Sequence, residues 1–260
     1  MRSLNVRPDF TGVTETPGDL VSREAASMAI SRYDLVRCYS KGRRVLEIAC
    51  GSGQGLGYVG ADAARLVAGD ITWTLLERAR RHYGSRFQLL QFDAQDLPFI
   101  DGTFDLVSLH EALYYMPDIG KALRECRRVL VSGGLLVISS INSRWLDFNP
   151  SPHAVTYLDA PALEGALSEC FSTVELQYGF PEDGGGFRSA LVSTVKRLAV
   201  RLRLIPKTMK GKALLKYLFL GPLQSVPPEI PRGFAPIDRP HSAGRDDSTR
   251  FKVIYAVARA

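Results

Sequence analysis

Nowhere in the chain is there a run of 18 apolar residues, and Met1 to Phe10 contains no apolar stretch of the kind a secretory signal requires. Neither a membrane span nor standard export is expected, and a cytoplasmic location is. Cysteine is scarce and scattered. Cys38, Cys50, Cys126 and Cys170 form no CxxC and no Cys/His pairing, which excludes a disulfide scaffold and argues against structural zinc. No Asp/Glu/His grouping has the spacing of a magnesium site, so metal-independent chemistry is expected. There is no internal repeat, and low complexity is confined to Gly184-Gly185-Gly186.

What is present is an ordinary globular composition, 45% hydrophobic and 23% charged over 260 residues. This length suits one domain with a tail or an insertion. The net charge of +6 is unevenly placed. From Gly184 to Pro228 there are nine Lys/Arg and no Asp or Glu, so the rest, with 24 basic and 27 acidic residues, sits at −3. Basicity belongs to one segment.

Residues 1–22 are polar and broken by Pro8, Gly12, Pro17 and Gly18, which reads as an arm or lid. Ala26, Ile30, Tyr33 and Val36 then recur at helical spacing between Ser22 and Tyr39. Beyond them strands and helices alternate. Strands are predicted at Val45–Ala49, Leu66–Asp70, Phe87–Phe92, Phe104–Leu109 and Leu135–Ile141. Helices are predicted at Gln54–Arg65, at Thr72–His82 with Thr72 suited to the N-cap, and at Ile119–Leu130 before a Gly133-Gly134 stop. Pro161–Cys170 reads as a helix, and Ser172–Tyr178 and Phe251–Ala258 as strands. The pattern predicts an α/β fold: a doubly wound, seven-stranded, mostly parallel sheet with an antiparallel last strand.

Chemistry is concentrated where the first of these strands runs into glycine, at Val45-Leu46-Glu47-Ile48-Ala49-Cys50-Gly51-Ser52-Gly53. Such a turn lets backbone approach a nucleotide-like ligand closely. Its distinguishing feature is the acid inside the strand, Glu47. The next strand ends at Asp70, 17 residues past Gly53, where a carboxylate can accept both ribose hydroxyls. Phe92-Asp93-Ala94-Gln95-Asp96 and Phe104 to His110 follow the third strand and form the fourth. A GxGxxG string at Gly55, Gly57 and Gly60 would suggest a nicotinamide-dependent dehydrogenase. It begins six residues after the strand, however, and too close to Asp70.

These four elements, in this order and spacing across Lys41 to Ile141, resemble the motif series of class I S-adenosylmethionine-dependent methyltransferases. The resemblance extends to bacterial small-molecule and saccharide methyltransferases through the Arg32-Tyr33 pair. It implies S-adenosyl-L-methionine as cofactor. Glu47, Ala49, Gly51 and Gly53 would lie beneath its methionine and ribose portions. Asp70 would hold the ribose hydroxyls, Ile71 would pack on the adenine, and Asp93 with the Ala94 backbone would bond the ring. Tyr33 would lie on the helix that caps the cofactor. Family members usually carry glycine where Ala49 stands.

In-line methyl transfer depends on positioning, and a hydroxyl acceptor also needs a base. Histidine suits that role near neutral pH, and there are four. His82 and His241 read as solvated. His110, ending the fourth strand, and His153, in the loop after the fifth, lie at the carboxyl edge of the sheet and are the candidate bases. Leu191, Val195, Leu198, Leu202 and Ile205, then Leu214, Leu215, Leu218 and Phe219, predict two helices in a basic insertion. It suits an anionic or sugar-linked small-molecule acceptor, or contact of 184–228 with an anionic membrane surface; the plainer alternative is solvated surface.

The organisation expected is therefore an arm and cofactor-capping helix (1–40), a methyltransferase core (41–182 and 251–260), and a basic, mainly helical insertion (183–250) forming part of the acceptor site. The reaction expected is O-methylation of a small-molecule or saccharide hydroxyl with a histidine base. Natural-product N- or C-methylation, RNA methylation and a non-catalytic cofactor-binding scaffold are the alternatives. A nucleic-acid partner is disfavoured, because no Asn/Asp-Pro-Pro-Tyr motif and no RNA-binding module is found.

Overall fold

The computed structural model describes residues 8–181, 222–242 and 249–260. The parallel strands form because Val, Leu and Ile in short runs are buried, on both faces in all but the edge strand Gln88–Gln91. They are β2 (Arg44–Ile48), β3 (Arg65–Asp70), β4 (Gln88–Gln91), β5 (Phe104–His110) and β6 (Leu130–Ile141). Each fully buried Leu or Ile here contributes about 1.5–3 kcal/mol. With β7 (Thr173–Pro181) and β9 (Phe251–Arg259), these make one seven-stranded sheet in the order β4-β3-β2-β5-β6-β9-β7. The pairs from β4 to β6 are parallel, and β9 runs antiparallel between β6 and β7. The winding reverses at β2, next to β5, which opens a crevice at the carboxyl ends of the strands.

One face of the sheet is covered by α1 (Arg23–Ser40), α2 (Leu56–Gly60) and α3 (Trp73–Tyr83). Their Ile30, Val36, Leu56, Leu76 and Ala79 meet Val45, Leu106, Val137 and Val257. The other face carries α4 (Ile119–Val129) and α5 (Ala160–Ser168), through Leu123, Cys126, Leu163 and Leu167. Side-chain caps start three of the helices: Ser22 accepts from the Ala25 amide, Asp118 from Lys121 and Asp159 from Ala162.

Several boundaries differ from expectation for physical reasons. The helix expected over Gln54–Arg65 is only five residues long, because glycines at 53, 55, 57 and 60 weaken it. Thr72 occupies the N-cap of α3 but does not cap with its side chain; its hydroxyl instead accepts from the Phe10 amide at 3.2 Å. Gly133-Gly134 do not stop α4. That helix has ended at Val129, and Gly133, at φ +75°, lies within β6, where the register shifts between Phe104 and Leu106.

A second, two-stranded sheet was not expected. β1 (Leu20–Ser22) pairs antiparallel with β8 (Leu223–Ser225). Residues 222–242, expected within a mainly helical insertion, are extended and turned. The Ile230 amide donates to Gln54 O at 2.8 Å, and the Asp238 amide to Ser31 Oγ at 2.9 Å. The two helices read in 191–205 and 210–220 lie outside the described residues. Cys38, Cys50, Cys126 and Cys170 are all free.

Candidate active site

Where β2 ends, the backbone makes three left-handed residues within five: Ala49 at φ +56°, Gly51 at +57° and Gly53 at +82°. The turn is pinned by Cys50 N–H on Gly69 O at 3.0 Å and by Gly53 N–H on Cys50 O at 2.9 Å. Tyr83 holds it from outside, its hydroxyl donating to Gly53 O at 2.8 Å. Gly51 N–H donates to Asp70 Oδ2 at 2.9 Å, and Thr72 N–H to Asp70 Oδ1 at 2.8 Å. Asp70 is thereby fixed at the tip of β3, with its carboxyl group in the wall of the cavity that opens over this turn.

The glycines of the GxGxxG string serve packing. A Cβ at Gly55 would fall inside the Tyr33 ring, one at Gly57 on the Glu229 carboxylate, and one at Gly60 against Phe87. None of the three needs a left-handed φ.

A cavity of about 540 Å³ opens over this turn and runs across the carboxyl ends of the central strands. Tyr33, Glu47, Ala49, Gly51, Asp70, Ile71, Asp93, Ala94 and His110 all line it; Gly53 supports the turn from behind, and His153 is exposed in the loop after β6, away from its wall. The structure therefore brings the expected cofactor residues together with His110 but not with His153.

Electrostatics divide the cavity. Glu47 is 2% exposed and its Oε2 has no hydrogen-bond partner; burial pushes its carboxyl up to about 8, opposed by the Arg32 charge. Arg32, on α1, also has a buried Nε without a partner, and its guanidinium lies 5.4 Å from the Tyr33 ring centre. Asp93 Oδ1 accepts from the Gln95 amide at 2.8 Å. His110 packs edge-on to Tyr33 at 5.5 Å, and its Nδ1 meets Ser139 Oγ at 2.9 Å. Burial, helped by Arg32, lowers its pKa to about 3, so the ring is neutral.

Several lining residues were not singled out from sequence. The arm contributes Phe10, Thr14 and Glu15; the Phe10 ring packs tilted against Tyr115 at 4.9 Å, and Gln54 Nε2 donates to Glu15 O at 2.6 Å. Residues 226–234 contribute Val226, Ile230 and Phe234, and the sheet contributes Glu111 and Tyr255. Alternation marks Tyr255 as a strand residue, but only the register of β9 places it in this wall. Among the described residues no group of three or more His, Cys, Asp or Glu could hold a metal ion.

The arrangement fits S-adenosylmethionine. An unpaired buried carboxylate (Glu47) and an unpaired buried guanidinium nitrogen (Arg32) suit an amino-acid end. A pre-set carboxylate (Asp70) suits a ribose, and Ile71, Asp93 and Ala94 suit an adenine.

Comparison with known proteins agrees. Residues 46–138 match the family model described as a methyltransferase domain. A stretch of 104 residues, 39% of this chain, is 36% identical to a demethylmenaquinone methyltransferase of Clavibacter sepedonicus, covering 42% of that protein. A stretch of 154 residues, 54% of this chain, is 27% identical to a malonyl-[acyl-carrier protein] O-methyltransferase of Legionella pneumophila, covering 52% of it. The chain thus spans about half or less of the length of these curated relatives. Among solved structures, an S-adenosylmethionine-dependent methyltransferase from Thermotoga maritima superposes with a TM-score of 0.57 over 88% of each chain at 13% identity, which is a likeness of fold. Residues 46–138 of this chain thus carry a methyltransferase domain with S-adenosylmethionine-dependent relatives, and S-adenosylmethionine is the cofactor such a domain implies.

Proposed function

We propose that the chain methylates a hydroxyl of a small, largely apolar acceptor molecule. The observation that carries this reading is the continuity of the cavity. Beyond Asp70 and Glu47 it extends over β5, β6 and β9 into a compartment walled by residues such as Val21, Ala26, Phe234 and Val253, with His110 on its floor. The relatives named for demethylmenaquinone and for malonyl-[acyl-carrier protein] are consistent with a small or carrier-bound acceptor. An apolar lining favours such a molecule above the saccharide or sugar-linked acceptor expected from the sequence.

When bound, the cofactor supplies an activated methyl group on a sulfonium. The chain's own contribution is positional. Asp70 and Asp93 orient the nucleoside, Glu47 and Arg32 the amino-acid end, and the arm and residues 226–234 exclude water. His110 has its Nε2 without a partner and its ring neutral, so it can hydrogen-bond an acceptor hydroxyl, and so low a pKa makes it a weak general base. The reading is tested by calorimetry with S-adenosylhomocysteine and NAD, followed by a screen of hydroxylated acceptors for release of the thioether product. Binding of the thioether alone is expected. Tight binding of NAD without response to the thioether would overturn the reading.

A further inference from the structure

The acceptor side of the cavity has a polar floor set by strand register. His110 pairs with Ser139 across β5 and β6, and Ser139 pairs with Tyr255 across β6 and β9. In-register neighbours present their side chains to one face of the sheet, here the face beneath α1. The Ser139 hydroxyl engages His110 Nδ1, which leaves His110 Nε2 buried without a partner. Tyr255 is 0% exposed, and its hydroxyl also has no partner. Two unpaired polar atoms in one buried row of a ligand-sized cavity are what a bound head group would satisfy.

Glu111 follows this row. It is one of three non-glycine residues with positive φ among the described residues, at +50°. Its amide donates to Ser139 O at 2.8 Å, and its Oε2 accepts from the Ile141 amide at 3.1 Å and the Tyr114 hydroxyl at 3.3 Å. Oε1 has no partner among the described residues. Surrounding contacts thus hold a conformation that a glutamate otherwise avoids, with the carboxylate in the cavity wall.

The three groups share a preference. A carboxylate oxygen only accepts, whereas the Tyr255 hydroxyl and the neutral His110 ring can each give or take a hydrogen bond. A neutral hydroxyl, which donates once and accepts as well, can satisfy them; an anionic head would set like charge against Glu111, which already takes up the charge of the nearby Arg32. Aromatic rings lie alongside, with Tyr114 4.5 Å from Tyr115 and Phe10 packed on the latter.

We infer that this compartment binds a phenolic acceptor, with Glu111 accepting a hydrogen bond from its hydroxyl and Tyr255 and His110 selecting a neutral head. The inference deepens the methyltransferase reading and rests on it for the role of the bound molecule as acceptor; the binding itself is decided by these residues alone.

The test titrates the full chain, alone and saturated with S-adenosylhomocysteine, with three probes of one shape: 4-propylphenol, 4-propylbenzoate and propylbenzene. The phenol is expected to bind in both states, about tenfold or more tighter than either analogue. Glu111→Gln and Tyr255→Phe should each weaken the phenol by about tenfold and leave propylbenzene unchanged. Tyr255→Phe removes a hydroxyl that has no partner, so its melting temperature should not fall, which separates loss of binding from loss of fold. Equal or tighter binding of the benzoate, equal binding of propylbenzene, indifference of both variants, or displacement of the phenol by S-adenosylhomocysteine would each overturn the inference. Failure of S-adenosylhomocysteine to bind would overturn the methyltransferase reading instead, and titration of the chain alone would still decide the phenol site.

Discussion

Gly51 and Asp70 are joined by a single hydrogen bond, the Gly51 amide donating to Asp70 Oδ2 at 2.9 Å, and through it the glycine turn after β2 and the tip of β3 form one unit. In the proposed function, cofactor recognition and the shape of the turn are therefore coupled.

Replacing Asp70 by alanine should act twice. It removes the proposed ribose acceptor and leaves the amides of Gly51 and Thr72 without their partner. S-adenosylhomocysteine affinity should fall roughly ten- to hundredfold, and stability by about 1–3 kcal/mol. Calorimetry and urea unfolding measure the two losses; affinity at the wild-type level would remove Asp70 from the site.

Ala49 tells a different story, since it holds φ +56° without being glycine. Relief of left-handed strain is worth about 1–2 kcal/mol, and glycine gives back about 0.5–1 kcal/mol in backbone entropy. Ala49→Gly should therefore stabilise the fold by roughly 0.5–1 kcal/mol in chemical denaturation. A destabilised variant would contradict the strained geometry.

Glu47 predicts a proton balance. With its folded-state pKa raised to about 8, above the ordinary 4.5, the native state binds a proton that the unfolded chain has lost at neutral pH. This group's contribution to stability is full below about 4.5 and is lost as pH rises through about 8. A cation bound beside it favours the ionised form, so cofactor binding at pH 7 should release a proton, and affinity should rise with pH toward 8. Calorimetry in two buffers of different ionisation enthalpy reads the release, and Glu47→Gln should abolish it. An enthalpy independent of buffer would show that Glu47 does not face the bound cation.

Gly55→Ala tests the packing explanation of the glycine string. The new methyl would overlap the Tyr33 ring, which is itself held edge-on to His110. Destabilisation of about 1–3 kcal/mol is expected, together with weaker cofactor binding as Tyr33 shifts. A silent Gly55→Ala would mean that α1 does not lie where the structure puts it.

The core and the gathering of residues around the glycine turn were legible because their signals are local. A short apolar run ending in glycine, an acid at the next strand end, and Asp93 after the third strand are all readable within a few residues of chain. Glu111 and Tyr255 were not, since their roles depend on which strand lies beside which: Tyr255 meets Ser139 only because β9 enters between β6 and β7. The small sheet was invisible for a related reason. Three-residue strands carry almost no periodicity, and Leu20 pairs with Ser225 far along the chain. α2 is shorter than the helix expected over Gln54–Arg65 because its glycines serve to admit Tyr33, Glu229 and Phe87, contacts that lie far off in sequence or on other elements.

The pairing of β1 with β8 also fixes an order of assembly. The turn after β2, the tip of β3 and the Asp93 segment come from the first hundred or so residues of the chain, and the elements they lean on, β5 and α4, follow directly. The roof does not. Val21 cannot find Gln224, nor the Gly18 amide Val226 O, until the last quarter of the chain has been made. Contacts of such sequence separation form late, because loop closure must precede them. A nascent chain would thus pass through a stage with the glycine turn shaped but still open to water, and the compartment proposed for the acceptor would be the last part of the cavity to close.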